Sequence, residues 1–140
     1  MQPIKILIVD DHLHGRQLLH AILRPFGHCD LAENGMDAVV LVEDALRHNA
    51  HYDLILLDIM MPEMNGQAAL HAIRAAERDL GMAGNKEAVI FMVTGVSSTP
   101  AVIEAFFKGY CTDYLTKPIT RQILLDKLQE YRLIAPDMES

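Results

Sequence analysis

Tryptophan is absent, only two of the 140 residues are cysteine, and no two of the 12 lysines and arginines are adjacent. The last two scarcities each exclude a class of protein. Cys29 and Cys111 lie far apart and form no CxxC pair, so neither a disulfide framework nor a zinc site is indicated. Both read as small apolar packing residues in a reducing compartment. Nineteen acidic residues leave a formal net charge of -7, and without a basic stripe direct binding of nucleic acid is not expected. Long apolar runs are missing too. The stretch Ala88 to Val93 cannot span a bilayer, and Ile6 to Val9 is too short for a signal-peptide core, so a cytoplasmic chain with no membrane contact is expected.

What is present suits a packed globule. Apolar residues make up 51% and charged residues 22%, with eight glycines and six prolines, which excludes disorder as the main state. A chain of 140 residues is one domain, burying roughly two-thirds of its unfolded surface. Its core is expected at about residues 4–132, with a short tail at 134–140.

Three runs are rich in β-branched and large aliphatic residues: Ile4 to Val9, Leu54 to Leu57 and Ala88 to Val93. They do not alternate polar with apolar, as expected of strands covered on both faces. Cys29 to Glu33 and Thr112 to Thr116 are weaker strand candidates. Between them run stripes of helical period: Leu18, Leu19, Ile22, Leu23 and Phe26; Ala38, Val39, Leu41, Val42, Ala45 and Leu46; Ala69, Leu70, Ile73 and Ala76. Phe26-Gly27 and Asn34-Gly35 supply stops and turns, Asn65-Gly66 opens the third helix, and Asp79 to Glu87 reads as a long loop. The order is βα repeated five times, ending in an amphipathic segment from Thr120 to Leu133. Such alternation predicts an α/β fold, an open, doubly wound five-stranded parallel sheet with helices on both faces.

In these sheets the ligand crevice lies beyond the C-terminal ends of the strands. Strand one ends in Asp10-Asp11, strand three in Asp58, strand four in Thr94 and strand five in Thr116-Lys117-Pro118. Three carboxylates crowded together need raised pKa values or a bound cation. A hard, all-oxygen site suits Mg²⁺. One hydroxyl and one ammonium beside it are the groups that hold the oxygens of a phosphoryl group.

The segments VDDH at 9–12, LLDIMMPEMNG at 56–66, VTG at 93–95 and YLTKP at 114–118 fall in that order at successive strand ends. On these motifs the chain resembles the receiver domain of two-component response regulators, the CheY-like branch of the flavodoxin-like folds, over about Ile4 to Arg132. The resemblance implies that Asp58 is the phosphoacceptor, and that Asp10, Asp11, Asp58 and the backbone carbonyl of Met60 hold Mg²⁺. It implies Thr94 as the switch hydroxyl, Lys117 as the phosphate-binding ammonium, Tyr114 as the aromatic that moves with Thr94, and a cis bond before Pro118. Tyr110 stands where the family usually has glycine, with Gly109 one position earlier.

The implied partners are a histidine kinase or histidine phosphotransfer domain as donor, and a downstream protein or second copy of the chain. The latter would bind the face made by the fourth helix, fifth strand and fifth helix. There, some of Ile103, Phe107 and Leu125 are expected to be exposed, with Ile123, Leu124, Leu128 and Tyr131 as the buried stripe. The resemblance also implies that Met60 and Val96, two residues after Asp58 and Thr94, flank the path of the attacking water; neither offers it a good hydrogen bond, which predicts slow loss of the phosphoryl group. The domain would catalyse only its own phosphorylation and slow dephosphorylation.

The chain is either a stand-alone receiver or a receiver cut from a hybrid histidine kinase. Other readings fit less well. A Mg²⁺-dependent aspartyl-phosphate hydrolase would need an acid two residues after Asp58, where Met60 stands. A flavin-binding module would need a phosphate cradle where Asp10-Asp11 repels one. His12 and His14 point about 200° apart at a helix start, which argues against a shared ligand site between them. Met60, Met61 and Met64 read as loop packing around the acceptor.

Overall fold

The unbroken aliphatic runs form the middle of a sheet. In the computed structural model, which describes residues 3–59, 66–80, 87–95 and 110–135, the strands are β1 (Ile4–Val9), β2 (Gly27–Ala32), β3 (Leu54–Asp58), β4 (Val89–Thr94) and β5 (Asp113–Thr116). All pair in parallel in the order β2-β1-β3-β4-β5. Every residue of the central β3 is buried, as a strand covered on both faces requires. The strand order reverses about β1, so the crevice opens between the C-terminal ends of β1 and β3. The register pairs Val9 with Leu57, Asp58 with Val93, and Thr94 with Thr116. Asp10, Asp58, Thr94 and Lys117 therefore stand along one edge.

Alternation along each strand divides the core. Ile6 and Ile8 face one side with Leu19, Ile22 and Leu23 of α1 (Leu13–Leu23) and with Leu124, Leu125 and Leu128 of the final helix (Arg121–Glu130). Leu7 and Val9 face the other side, among Ala38, Val42 and Leu46 of α2 (Gly35–Arg47) and Leu70 and Ile73 of α3 (Gly66–Asp79). Each fully buried aliphatic side chain contributes about 1.5–3 kcal/mol relative to exposure. Asn34 and Thr120 start α2 and the final helix by accepting hydrogen bonds from Asp37 N (2.8 Å) and Ile123 N (3.2 Å).

Several expectations need correction. Leu18 is exposed and Leu125 is buried, while Ile123 is 42% exposed. In the final helix the inward stripe is Leu124, Leu125 and Leu128, which turns Ile123 a further 100° away from the sheet. That helix closes at Glu130 because Arg132 adopts a left-handed conformation, with φ of 58°. Gly27 is not a turn residue but the first residue of β2, paired with Ile4. Val102 to Phe107, the segment read as a fourth helix, lies outside the described residues, as do Asn65 and most of the Asp79 to Glu87 loop. Among the described residues no helix is long and apolar enough to cross a membrane.

Candidate functional site

Each acid is placed by a local device. Asp10 follows β1, continues the ladder through its N–H to Ala32 O (3.1 Å), and is 3% exposed. Its own carbonyl accepts a hydrogen bond from Arg16 Nη1 (2.8 Å), one turn into α1. Arg16 is itself buried, and its Nη2 stands 3.6 Å from Glu33 Oε1 beyond β2, so it ties the ends of two strands to α1. Gly15 matters by what it lacks: a Cβ there would collide with the Asp10 carboxylate. At β3, the Cβ position of Gly66 is already filled by the Asp58 carbonyl and the Ile59 backbone, so α3 starts hard against the strand end. Gly66 N donates to Ile59 O at 2.9 Å across the same contact.

The side chains converge. Donor atoms of Asp10, Asp11, His12 and Asp58 all lie within 4.8 Å of one another. Lys117 Nζ donates to Asp58 Oδ2 at 3.1 Å, and Lys117 N donates to Thr94 O at 2.8 Å. The Lys117–Pro118 bond is cis. Three carboxylates against one ammonium leave two formal negative charges, the complement of a divalent cation. Asp11 Oδ1 is buried and makes no hydrogen bond among the described residues. His12 Nδ1 approaches it to 3.0 Å, but without hydrogen-bond geometry. An oxygen-rich donor set with a buried, unsatisfied carboxylate oxygen fits a hard cation such as Mg²⁺.

The remaining expected residues are less concentrated. The hydroxyl of Thr94, 2% exposed, donates to Gly95 O at 3.0 Å. Tyr114 is partly buried against the α2–α3 side of the core. Met60 and Val96 lie outside the described residues, as do Met61, Met64, Ile103, Phe107 and Gly109. His14 is exposed and takes no part in the cluster. Tyr110 rests its ring on His71 of α3 at 4.2 Å between centroids, and its carbonyl accepts from Arg74 Nε (2.7 Å). Both thiols are unpaired and half-buried; burial, followed by the charge of Asp30, pushes Cys29 up to about 11, and burial raises Cys111. Neither offers a thiolate at neutral pH.

Sequence reasoning missed Arg16, Gly15 and the cluster role of His12. Gly15 and Arg16 stand only five and six residues after Asp10 in sequence, but only the packed helix shows what each meets. Beside the acids a cleft of about 540 Å³ opens between α1 and the turn after β5. Leu18, Leu19, Val93, Pro118 and Ile119 make its apolar lining, and it shares Asp10, His12 and Lys117 with the cluster.

Comparison with known proteins agrees with this fold. A family model described as the response regulator receiver domain matches residues 6–129. The chain is 33% identical over 129 residues to the chemotaxis protein CheY of Pseudomonas aeruginosa, covering 91% of this chain and 94% of that one. Among solved structures, Vibrio cholerae CheY4 superposes with a TM-score of 0.71 at 28% identity, covering 94% of this chain and 99% of the other. The receiver domain of a sensor histidine kinase from Pseudomonas aeruginosa PAO1, with a magnesium ion coordinated in its active site cleft, gives 0.72 at 26% identity. That match covers 92% of this chain and 97% of the other.

Proposed function

This chain belongs to the response regulator receiver domain family of two-component signalling, and we propose that its Asp58 accepts a phosphoryl group while Asp10 and Asp11 hold Mg²⁺ beside it. The observation that carries this reading is the Lys117 ammonium 3.1 Å from Asp58 Oδ2, at the mouth of an acid cluster two charges short of neutral. The magnesium ion in the cleft of the Pseudomonas aeruginosa receiver supports the choice of ion. The backbone carbonyl of Met60 completes the proposed ligand set.

When bound, Mg²⁺ supplies positive charge against the phosphoryl oxygens. A carboxylate acts as the nucleophile directly, so no general base is required. One oxygen of Asp58 attacks phosphorus in line as the bond from phosphorus to the donor breaks. From a phosphohistidine the electron pair returns to the imidazole, which takes a proton from solvent. From a small acyl phosphate a carboxylate leaves. Lys117 passes from the Asp58 carboxylate to a phosphoryl oxygen, and Arg16 keeps the Asp10 backbone in place throughout. The Thr94 hydroxyl exchanges the Gly95 carbonyl for a phosphoryl oxygen, and Tyr114 follows it, which biases the face that includes β5 and the final helix. A histidine kinase or histidine phosphotransfer domain is the proposed donor, and a downstream protein or second copy the proposed reader of that face. Ile123, not Leu125, is the exposed apolar residue the final helix offers there.

Intact-mass analysis after incubation with a small acyl phosphate and Mg²⁺ tests this reading. One added phosphoryl group is expected, lost with EDTA and lost in Asp58→Asn. Equal labelling of Asp58→Asn would sink it.

A further inference from the structure

We propose that His12 is a further ligand of the cation held by Asp10, Asp11 and Asp58, and that its ring nitrogen tilts this site toward divalent ions that accept nitrogen, such as Mn²⁺ and Co²⁺. The inference rests on the reading of the acid cluster as a cation site.

The geometry carries it. His12 Nδ1 lies 3.0 Å from Asp11 Oδ1 and 3.5 Å from Asp10 Oδ1. With metal–ligand bonds of about 2.1 Å, neighbouring corners of an octahedron stand about 3.0 Å apart and opposite corners about 4.2 Å. The four donor atoms, all within 4.8 Å of one another, approach the spacing of ligands around one ion. The short approach to Asp11 Oδ1 has no hydrogen-bond geometry, so a nitrogen and a buried oxygen stand at ligand spacing with no hydrogen bond between them.

The backbone of His12 is pinned: its N–H donates to Asp10 Oδ1 at 2.9 Å and its carbonyl accepts from Arg16 N at 3.0 Å. Its side chain, 72% exposed, can turn toward an ion without repacking the core. Oxygen donors alone suit Mg²⁺. One imidazole among them favours Mn²⁺ and, more strongly, Co²⁺, since affinity for nitrogen rises along that series.

The test uses the full chain at fixed pH and ionic strength. Calorimetric titration with MgCl₂ and with MnCl₂ is paired with pulsed electron paramagnetic resonance of the Mn²⁺-loaded protein, in wild type and in His12→Phe. Wild type should bind one Mn²⁺ that Mg²⁺ displaces, with nitrogen coupling from one imidazole. Losing a ligand costs at least what losing an outer-shell partner does, so His12→Phe should bind Mn²⁺ about tenfold more weakly and lose the coupling, with a smaller loss for Mg²⁺, which gains less from a nitrogen donor. Coupling that persists in the variant, no coupling in wild type, or equal weakening for both ions overturns the assignment. Normal Mg²⁺ binding without nitrogen coupling removes only the role of His12. Failure of wild type to bind either ion removes the cation-site reading with it.

Discussion

Asp113 and the acids at Asp10, Asp11 and Asp58 are the same chemistry in opposite surroundings. At the start of β5, one carboxylate takes hydrogen bonds from Lys127 Nζ (2.6 Å), Tyr131 OH (2.7 Å) and Tyr114 N (2.8 Å). At the other end of the sheet three carboxylates converge, and Lys117 reaches one of them, Asp58. The first arrangement spends its charge inside the protein, joining β5 to the final helix. The second leaves charge to be met from outside. A third carboxylate, Glu77 on α3, sharpens the contrast. Buried with Arg74 (2.6 Å), it also accepts from Ala88 N (2.8 Å) and so fixes the approach to β4. Acids neutralised within the protein hold the scaffold, and acids that keep a net charge make the site.

The largest effect should come from breaking the most enclosed pair. Arg74→Leu strands Glu77 without its cation and leaves the Tyr110 carbonyl without its donor, at a cost of about 3–5 kcal/mol in urea unfolding. Adding Glu77→Leu should recover part of that loss. If the double variant is no more stable than Arg74→Leu, the pair is not what Arg74 serves.

Asp113→Asn comes next. It removes the charged acceptor of Lys127 and Tyr131 and should destabilise by about 1.5–3 kcal/mol, while Mg²⁺ binding and Asp58 labelling stay as in wild type. At the acid end the sign should reverse. Asp11→Asn relieves repulsion and, measured in EDTA, should stabilise the fold by about 0.5–1 kcal/mol while abolishing Mg²⁺ binding. A destabilised Asp11→Asn in EDTA would erase the distinction between the two regions.

The smallest effect is in pH dependence. Burial alone would raise Asp113, but hydrogen bonds from Lys127, Tyr131 and the Tyr114 backbone hold it below its ordinary 3.8. A depressed folded value means the unfolded chain binds the proton first, so this stability is present above pH 3.8 and fades as pH falls through the folded value. Burial and then Asp113 raise Tyr131 above its ordinary 10.0, so its share is present below pH 10.0 and is lost as pH rises beyond it. Unfolding free energy in Asp113→Asn should flatten at both ends relative to wild type. An unchanged profile would assign the pH dependence to other groups.

The strands and the acid triad were legible because they depend on residue type at fixed places: unbroken aliphatic runs, each closed by a carboxylate, hydroxyl or ammonium. What the helices do at their margins was not. Leu18, Ile123 and Leu125 lie at the borders of their stripes, where one residue is a turn of 100° and the neighbouring element decides which is covered. Leu18 proves to line the cleft beside the acids. Arg16, Arg74 and Glu77 look like ordinary helix-surface charges in sequence. They are buried because their partners, the Asp10 and Tyr110 carbonyls and the Ala88 amide, arrive from elsewhere in the chain. In sequence His12 pairs naturally with His14, whereas its neighbours in space are the acids.

Gly15 shows that the acid end is limited by volume as well as by charge. Its missing methyl is the room in which the Asp10 carboxylate sits, so even alanine would push that carboxylate off the point where the others converge. A residue with no functional group therefore belongs with the acids: in a saturation scan its row would read like theirs, every substitution costing ion binding whatever its polarity. Donor atoms define such a site, and so does the space kept empty behind them.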